Sequence, residues 1–187
     1  MGSPPQPFKV LLDTGSDLLW VPDAASSACR NDTCAGGQFT SNASTTFSAA
    51  ENALPFKIAY MDGSLEQGVY AADMVGLGDV SLTNFTFGLA STVQISPSIP
   101  DGPQFGIMGI SYSSAREYNC TNSEQPSTCA VIPTVIDRMH DSGVIGSRSY
   151  SIYLDDIVEQ KGNILFGAVD TAKFYGDLVT MNTVKPR

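Results

Sequence analysis

The stretch from Val10 to Pro22 constrains the fold of this chain more than any other. An apolar run ends at Asp13-Thr14-Gly15-Ser16, and a second apolar run, Leu18 to Val21, follows at once. A carboxylate between two core-forming segments is costly to bury unless hydrogen bonds hold it, and hydroxyls and the backbone N–H groups of a glycine turn can supply them. A tight hairpin turn is the plainer interpretation. The apolar length of both arms favours a buried loop.

The composition indicates a mainly β chain. Its 187 residues are enough for one sizeable domain, with 42% apolar residues, only 16% charged residues, 17 Gly and 11 Pro. Few stretches have a helical period, so we expect an all-β class with one or two short helices. The formal net charge of −9 argues against nucleic acid as a partner, because ten Lys and Arg cannot form a basic patch. An acidic surface suits work at low pH, although it also fits an ordinary acidic protein.

Three motifs near the start carry a resemblance to a known family. Pro4 to Phe8, then Asp13 to Ser16, then Leu19-Trp20-Val21 resemble the first active-site loop of the fungal-type pepsin-like aspartic proteases. The resemblance implies a distorted β-barrel or sandwich lobe in which Asp13 is one of two catalytic aspartates. By the same resemblance, Thr14 would brace the loop against its counterpart, and the Gly15 N–H and Ser16 would bind the inner and outer carboxylate oxygens. Asp17 and Leu18 depart from the usual family residues beside the loop.

A second informative stretch runs from Phe56 to Ser64. Its alternating apolar residues predict a strand, and Asp62-Gly63 predicts a hairpin turn, so a plain surface hairpin is one interpretation. The stretch also resembles the family's flap, the hairpin that closes over substrate. The resemblance implies that the Tyr60 phenol hydrogen-bonds the Trp20 indole, and that Asp62 and Ser64 favour lysine beside the cleaved bond. Met61 replaces the usual Gly and would stiffen the flap or intrude on substrate.

The segment Phe105 to Ile110 resembles the apolar strand that passes beside the catalytic loop in this family, with Phe105 in place of the usual Asp. Ile107 would line the pocket near Tyr60. The substrate-binding residues implied by the resemblance are Tyr60, Asp62, Gly63, Ser64, Trp20 and Ile107.

A second Asp-Ser-Gly triplet occurs at Asp141-Ser142-Gly143, but its context argues against catalysis. Apolar residues in Val131 to His140 recur at the spacing of one buried helix face, and Gly143 is placed to cap that helix. His140 is then a helix-end residue, not a base. Later segments, Ser149 to Leu154, Gly162 to Gly167 and Gly176 to Val179, resemble the closing strands of a first lobe.

Cysteines and sequons indicate the secretory route. The cysteines form two close pairs, which predict the disulfides Cys29–Cys34 and Cys120–Cys129. A zinc site is the alternative, but neither pair has CxxC spacing and His140 is distant in sequence. Asn-X-Ser/Thr sequons occur at Asn31, Asn42, Asn84 and Asn119. We therefore expect a secreted, extracellular or vacuolar protein, in a mature or trimmed form because neither a signal peptide nor a membrane span is evident.

The resemblance covers nearly all of residues 1–187 as a single N-terminal lobe, about half of a complete enzyme. The family mechanism needs two carboxylates about 3 Å apart that share a proton, so the isolated chain is expected to be inactive. The implied partners are a peptide or protein substrate, the C-terminal lobe (from the same precursor or a separate chain) and pepstatin-type inhibitors. A homodimer in which each copy contributes Asp13, and a non-catalytic peptide-binding relative, remain alternatives. No metal or organic cofactor is called for.

Overall fold

The computed structural model describes residues 1–26, 29, 34–49, 55–94, 104–113, 117–118 and 130–182. They divide into two compact units, 1–144 and 145–187. The strands of the first unit are β1 (Val10–Asp13), β2 (Leu19–Pro22), β3 (Ser48–Ala49), β4 (Phe56–Ala59), β5 (Leu65–Leu77), β6 (Val80–Gln94), β7 (Gly106–Gly109), β8 (Glu117–Tyr118) and β9 (Ala130–Val131), followed by the helix α1 (Val135–Asp141). The second unit contains β10 (Tyr150–Leu154) and β11 (Gly162–Phe166). The predicted mainly β class is confirmed.

The main sheet of the first unit has the strand order β1-β7-β2-β6-β5-β3, and β4 also pairs with β5. Strand β7 lies between β1 and β2, parallel to the former and antiparallel to the latter. The two strands on either side of residues 14–18 therefore do not pair with each other. The hairpin-turn interpretation of this loop is wrong, because a distant strand separates its two arms.

The core lies under the sheet around β2 and the β4–β5 hairpin. Strand β2 is central and buried at every position, whereas β4 alternates between buried and exposed residues, as expected for a strand with one face on the core. Phe56 and Tyr70 meet edge to face with ring centroids 5.7 Å apart. One cluster of buried side chains, called here the core cluster, consists of Leu18, Trp20, Phe56, Ile58, Tyr70, Ala90 and Ile132.

The loop after β1 is more open than its apolar arms suggest. Leu11 is 53% exposed and Leu12 is 40% exposed, while Thr14 and Gly15 are also exposed. Strand β1 is at the end of the strand order, so one of its edges has no neighbour among the described residues. The expectation of a buried loop is therefore wrong for this side, and only the Ser16 to Val21 side enters the core.

Helix α1 begins later than its apolar spacing predicted. Pro133 disfavours a helical conformation at Ile132, and the helix starts after Thr134, whose side chain accepts a hydrogen bond from the Asp137 N–H. The Asp137 carboxylate in turn accepts a hydrogen bond from the Thr134 N–H, and the two bonds form a capping box. The helix ends as predicted, because Gly143 (φ 74°) donates to the carbonyl of His140 and the next N–H donates to that of Met139.

The second unit is built on the antiparallel pair β10–β11, in which Ile152 lies opposite Ile164. The strand expected over Gly176 to Val179 is not formed. Leu178 and Val179 are exposed there, so the strand that the resemblance implied has no buried face within the described part of the chain.

The predicted disulfide between Cys29 and Cys34 is present, which excludes these two thiols as zinc ligands. Cys120 and Cys129 lie outside the described residues, as do the sequon residues Asn31 and Asn119. The other two sequon residues, Asn42 and Asn84, are exposed. Within the described ranges, the structure has no helix that is long and apolar enough to cross a membrane.

Candidate active site

Asp13 is the last residue of β1 and is half-buried. Its Oδ1 accepts a hydrogen bond of 2.8 Å from the Gly15 N–H, the donor that the resemblance implied for this carboxylate. The Ile110 N–H donates to the Asp13 carbonyl at 2.9 Å, and the Ser111 N–H donates to the Ser16 carbonyl at 2.9 Å. Both ends of the loop are thus fixed by the residues that follow β7.

Gly109 makes this close approach possible. A Cβ at Gly109 would come within 2.5 Å of the Leu18 nitrogen and the Ser16 carbonyl oxygen. Gly109 also pairs with Asp13 in the parallel register and donates to the Leu18 carbonyl at 3.0 Å. Any side chain at this position would push β7 away from the loop, so the glycine is required by packing.

Ser16 does not make the contact expected from the resemblance. Its Oγ is buried and has no direct hydrogen-bonding partner among the described residues, so it does not bind the Asp13 carboxylate. The hydroxyl instead lies near the Tyr60 phenol, where its polarity tends to lower the phenol pKa. The predicted Ser16–Asp13 hydrogen bond is therefore absent from this structure.

The hydrogen bond implied between Trp20 and Tyr60 is present. The Trp20 Nε1–H donates to the Tyr60 hydroxyl over 2.8 Å. Burial raises the pKa of Tyr60 to about 12, the bond from Trp20 and the nearby Ser16 hydroxyl oppose this increase, and the negative charges of Glu66 and Asp13 add to it. The phenol therefore stays neutral over the whole acid and neutral range.

The tip of the β4–β5 hairpin, residues 60–64, is a tight and internally bonded turn. The Tyr60 N–H donates to the Ser64 carbonyl at 3.0 Å, and the Gly63 N–H donates to the Tyr60 carbonyl at 3.1 Å. The Asp62 Oδ1 accepts from the Ser64 N–H at 3.0 Å and from the Ser64 Oγ at 2.7 Å. Met61 is fully exposed at this tip.

An open pocket of about 270 Å³ lies between the loop after β1 and the hairpin tip. It contains three residues of the predicted site, Gly15, Ser16 and Tyr60, together with the exposed Met61. The other lining residues were not foreseen from the sequence: Asp17, Ile58, Ala59, Ser111 and Tyr112. Ser111 and Tyr112 directly follow the β7 segment, so their proximity depends on the strand order and is not visible in a local motif.

Several predicted substrate-binding residues do not line this pocket. Trp20 is buried in the core cluster, and Ile107 packs against the same cluster instead of facing the pocket. The reason is that Ile107 lies opposite Trp20 in the antiparallel register, so the two side chains share the core face. The three tip residues Asp62 to Ser64 also lie outside the lining, beyond Met61.

Glu66 is a further residue that the sequence motifs did not reveal. It is only 3% exposed, on the β5 strand opposite Ile58. Burial, with a smaller contribution from Asp62, raises its pKa from 4.5 to about 7. An acidic residue two positions after the turn, in phase with the buried residues of the hairpin, is the signal that could have identified it.

The second triplet, Asp141-Ser142-Gly143, lies at the C-terminal end of α1, as predicted from the helix before it. Asp141 is the last residue of α1 and is exposed, and its Oδ1 lies 3.2 Å from the Nδ1 of His140. Among the described residues no three His, Cys, Asp or Glu side chains are grouped as metal ligands would be.

A family model and individual relatives all relate this chain to aspartic proteases. The model of the eukaryotic aspartyl proteases matches residues 1–187. The probable aspartic-type endopeptidase OPSB of Arthroderma benhamiae is 36% identical over 97% of this chain and 34% of its own length. Secreted aspartic protease 1 of Candida albicans is 34% identical over 100% of this chain and 44% of its own length. This chain thus spans between about a third and less than half of the curated relatives it matches. The chain belongs to the eukaryotic aspartyl protease family.

Proposed function

We propose that residues 1–187 form one lobe of an acid-acting aspartic endopeptidase, the N-terminal lobe, and supply one of its two catalytic aspartates and its flap. The observation that carries this proposal is the Asp13 loop: the Asp13 carboxylate is half-buried and accepts the Gly15 N–H, and the next residues of the loop, Gly15 and Ser16, line an open pocket beside the Tyr60 hairpin. The relatives named as aspartic-type endopeptidases are longer than this chain, which supports a second lobe as the source of the other carboxylate.

In the proposed mechanism Asp13 and an aspartate of the second lobe share one proton, because two negative charges about 3 Å apart are not stable. The ionised member takes a proton from a water molecule as that water attacks the scissile carbonyl carbon. The protonated member donates to the carbonyl oxygen, and the resulting intermediate breaks down when the amide nitrogen is protonated and leaves as an amine. The two acids titrate as a pair. Thr14, exposed beside Asp13, is the residue that would contact the opposing loop.

We expect a preference for bulky apolar side chains beside the cleaved bond, because Ile58, Tyr60, Met61 and Tyr112 are among the residues that line the pocket. Acceptance of lysine through Asp62 is a weaker expectation, since this carboxylate is already bonded to Ser64 and lies outside the lining. Asp62→Ala would leave cleavage beside lysine unchanged if this residue plays no part, and reduce it relative to cleavage beside leucine if it does.

The chain's route is proposed to be secretory, with an extracellular protease as its product and a vacuolar one as the alternative. The Cys29–Cys34 disulfide and the exposed sequon residues Asn42 and Asn84 support this route, as does a relative named a secreted protease. Each used sequon would add a glycan, which mass spectrometry of protein from a eukaryotic host detects.

A homodimer is the second candidate, and the open edge of β1 favours it. Leu11 and Leu12 are exposed on that strand, directly before Asp13, so two copies could meet there and bring two Asp13 carboxylates together. A two-fold arrangement is the commonest way for identical chains to associate.

Light scattering and hydrolysis of a denatured protein substrate at about pH 3–4, with and without pepstatin, separate the candidates. The proposal predicts an inactive 187-residue chain that gains pepstatin-sensitive activity when the second-lobe chain is added. Activity from a dimer of this chain alone, lost in Asp13→Asn, would replace it with the homodimer. No activity with the second lobe, despite a stable complex, would favour a non-catalytic peptide-binding protein.

A further inference from the structure

Glu66 is buried on the core-facing side of the flap hairpin. It lies opposite Ile58 of β4 and Val93 of β6, and Ile58 belongs to the core cluster. The residue is 3% exposed, and its Oε2 is buried without a hydrogen-bonding partner among the described residues. A carboxyl group in such surroundings is tolerated when neutral and is costly when ionised.

The titration of this group reflects its position. Burial, with a smaller contribution from the charge of Asp62, raises the pKa of Glu66 to about 7. In the unfolded chain the group titrates near its ordinary value of 4.5, so the folded chain holds this proton when the unfolded chain has lost it. The contribution of Glu66 to the free energy of unfolding is therefore most favourable below pH 4.5. It falls as the pH rises toward about 7 and then levels off.

Glu66 is also adjacent to the residue that orders the flap. Tyr60 bonds the Ser64 backbone across the hairpin, and Glu66 is two residues beyond Ser64 on the same face, so Tyr60 and Glu66 are diagonal neighbours. A negative charge on Glu66 contributes to the raised pKa of Tyr60. In the described part of the chain, the titratable groups that interact with Glu66 are Tyr60, directly after β4, and Asp62 in the turn, whereas the facing residues Ile58 and Val93 are apolar.

We propose that Glu66 is a positioning residue of the flap: as a neutral acid it packs on the core and keeps Tyr60 bonded to Trp20, and when it ionises the base of the hairpin lifts and this bond opens. The buried Oε2 has no hydrogen-bonding partner within the described ranges, so the charged carboxylate must reach water, and the start of β5 moves with it. The consequence for catalysis rests on the proposed function, since an open flap matters only to an active protease. The movement itself does not depend on that function.

Trp20 is the single tryptophan of the chain, so its emission reports this bond directly. We expect the emission of the 187-residue chain to show one transition with a midpoint near pH 7, shifting to longer wavelength as the indole becomes hydrated. Glu66→Gln, which is neutral at every pH, removes the transition and keeps the acid-form spectrum. Asp62→Asn moves the midpoint to lower pH. Asp79→Asn, which changes an exposed carboxylate between β5 and β6, leaves it unchanged.

Three outcomes would overturn the proposal: a wild-type emission that is constant through neutral pH, a transition that persists in Glu66→Gln, or a simultaneous loss of far-ultraviolet circular dichroism, which would indicate unfolding of the whole chain. If Glu66→Gln does not fold, the proposal is still tested by the presence of the Trp20 transition in the wild type and by its shift to lower pH in Asp62→Asn. A protease that proves inactive while the Trp20 transition is intact refutes the proposed function alone. An active protease without the transition refutes the role of Glu66 alone.

Discussion

Two Asp-Thr/Ser-Gly triplets in this chain, residues 13–15 and 141–143, share their chemistry but not their surroundings. Asp13 ends a β-strand, and its carbonyl accepts the N–H of Ile110, almost a hundred residues later in the chain. Asp141 ends a helix, and its Oδ1 lies 3.2 Å from the Nδ1 of His140, its neighbour in the same helix. The difference shows that a triplet becomes a candidate catalytic loop through long-range strand pairing, and not through its letters.

Two glycines, Gly109 beside the first triplet and Gly143 within the second, show the same contrast. A side chain at Gly109, which packs on the first loop, would meet three backbone atoms within about 2.6 Å, whereas one at Gly143 would have nothing within 4 Å. A side chain at Gly109 is therefore excluded by packing, whereas one at Gly143 is disfavoured only by the positive φ. Substitution of each glycine by Ala tests this difference.

The largest difference in stability is expected between Gly109→Ala and Gly143→Ala. Gly109→Ala should lower the free energy of unfolding by about 3 kcal/mol, because backbone cannot yield as a side chain can. Gly143→Ala should lower it by about 1 kcal/mol, the strain of a left-handed residue with a Cβ. Urea unfolding curves of the two variants measure both values. Equal effects would contradict the view that long-range packing holds the first loop.

A smaller effect is expected from the cap of the helix that carries the second triplet. Thr134→Ala removes the acceptor of the Asp137 N–H and should destabilise the chain by about 1 kcal/mol, whereas Thr134→Ser should retain most of the cap. Trp20 emission at pH 5 should be the same in both variants, since the helix cap is not part of the Asp13 loop. A changed emission would show that the two regions are coupled.

The smallest effect is expected from the hydroxyls within the triplets. Ser142→Ala removes bonds to the carbonyls of Arg138 and Met139 and should cost about 0.5–1 kcal/mol in the chain alone. Thr14→Ala should change the stability of the chain alone by less than about 0.5 kcal/mol, because Thr14 is exposed.

Addition of the second lobe distinguishes Thr14→Ala from Ser142→Ala. Thr14→Ala should weaken the association of the two lobes, measured by titration calorimetry, and Ser142→Ala should not. A Thr14 effect of equal size with and without the second lobe would mean that the residue has no partner there.

The local features could be predicted from the sequence. Alternation and turn residues indicated the β4–β5 hairpin, and the apolar spacing with Gly143 indicated the end of α1. The start of α1 was missed because Pro133 and the Thr134 cap outweigh the apolar periodicity. The expected strand over Gly176 to Val179 failed because apolar residues indicate a strand only where a partner strand is present.

The features that depend on distant residues could not be predicted from local pattern. The insertion of β7 between β1 and β2 decides that Ile107 faces the core, and that Ser111 and Tyr112 reach the pocket. Glu66 is an acidic residue, a type usually assigned to the surface, yet the register of β4, β5 and β6 buries it. The exposure of Leu11 and Leu12 likewise reflects the open edge of a sheet and not the hydrophobicity of the run.

The most direct measurement is the activity of the complete protease with Asp13→Asn compared with Asp141→Asn, at about pH 3–4 on a denatured protein substrate. Asp13→Asn should lower kcat by roughly 10²- to 10⁴-fold with unchanged folding, because it removes an acid–base group from the reacting atoms. Asp141→Asn should leave kcat within about twofold, as expected for an exposed surface substitution. Full activity of the Asp13 variant, or loss of activity in a folded Asp141 variant, would contradict the assignment of Asp13 as the catalytic aspartate of this chain.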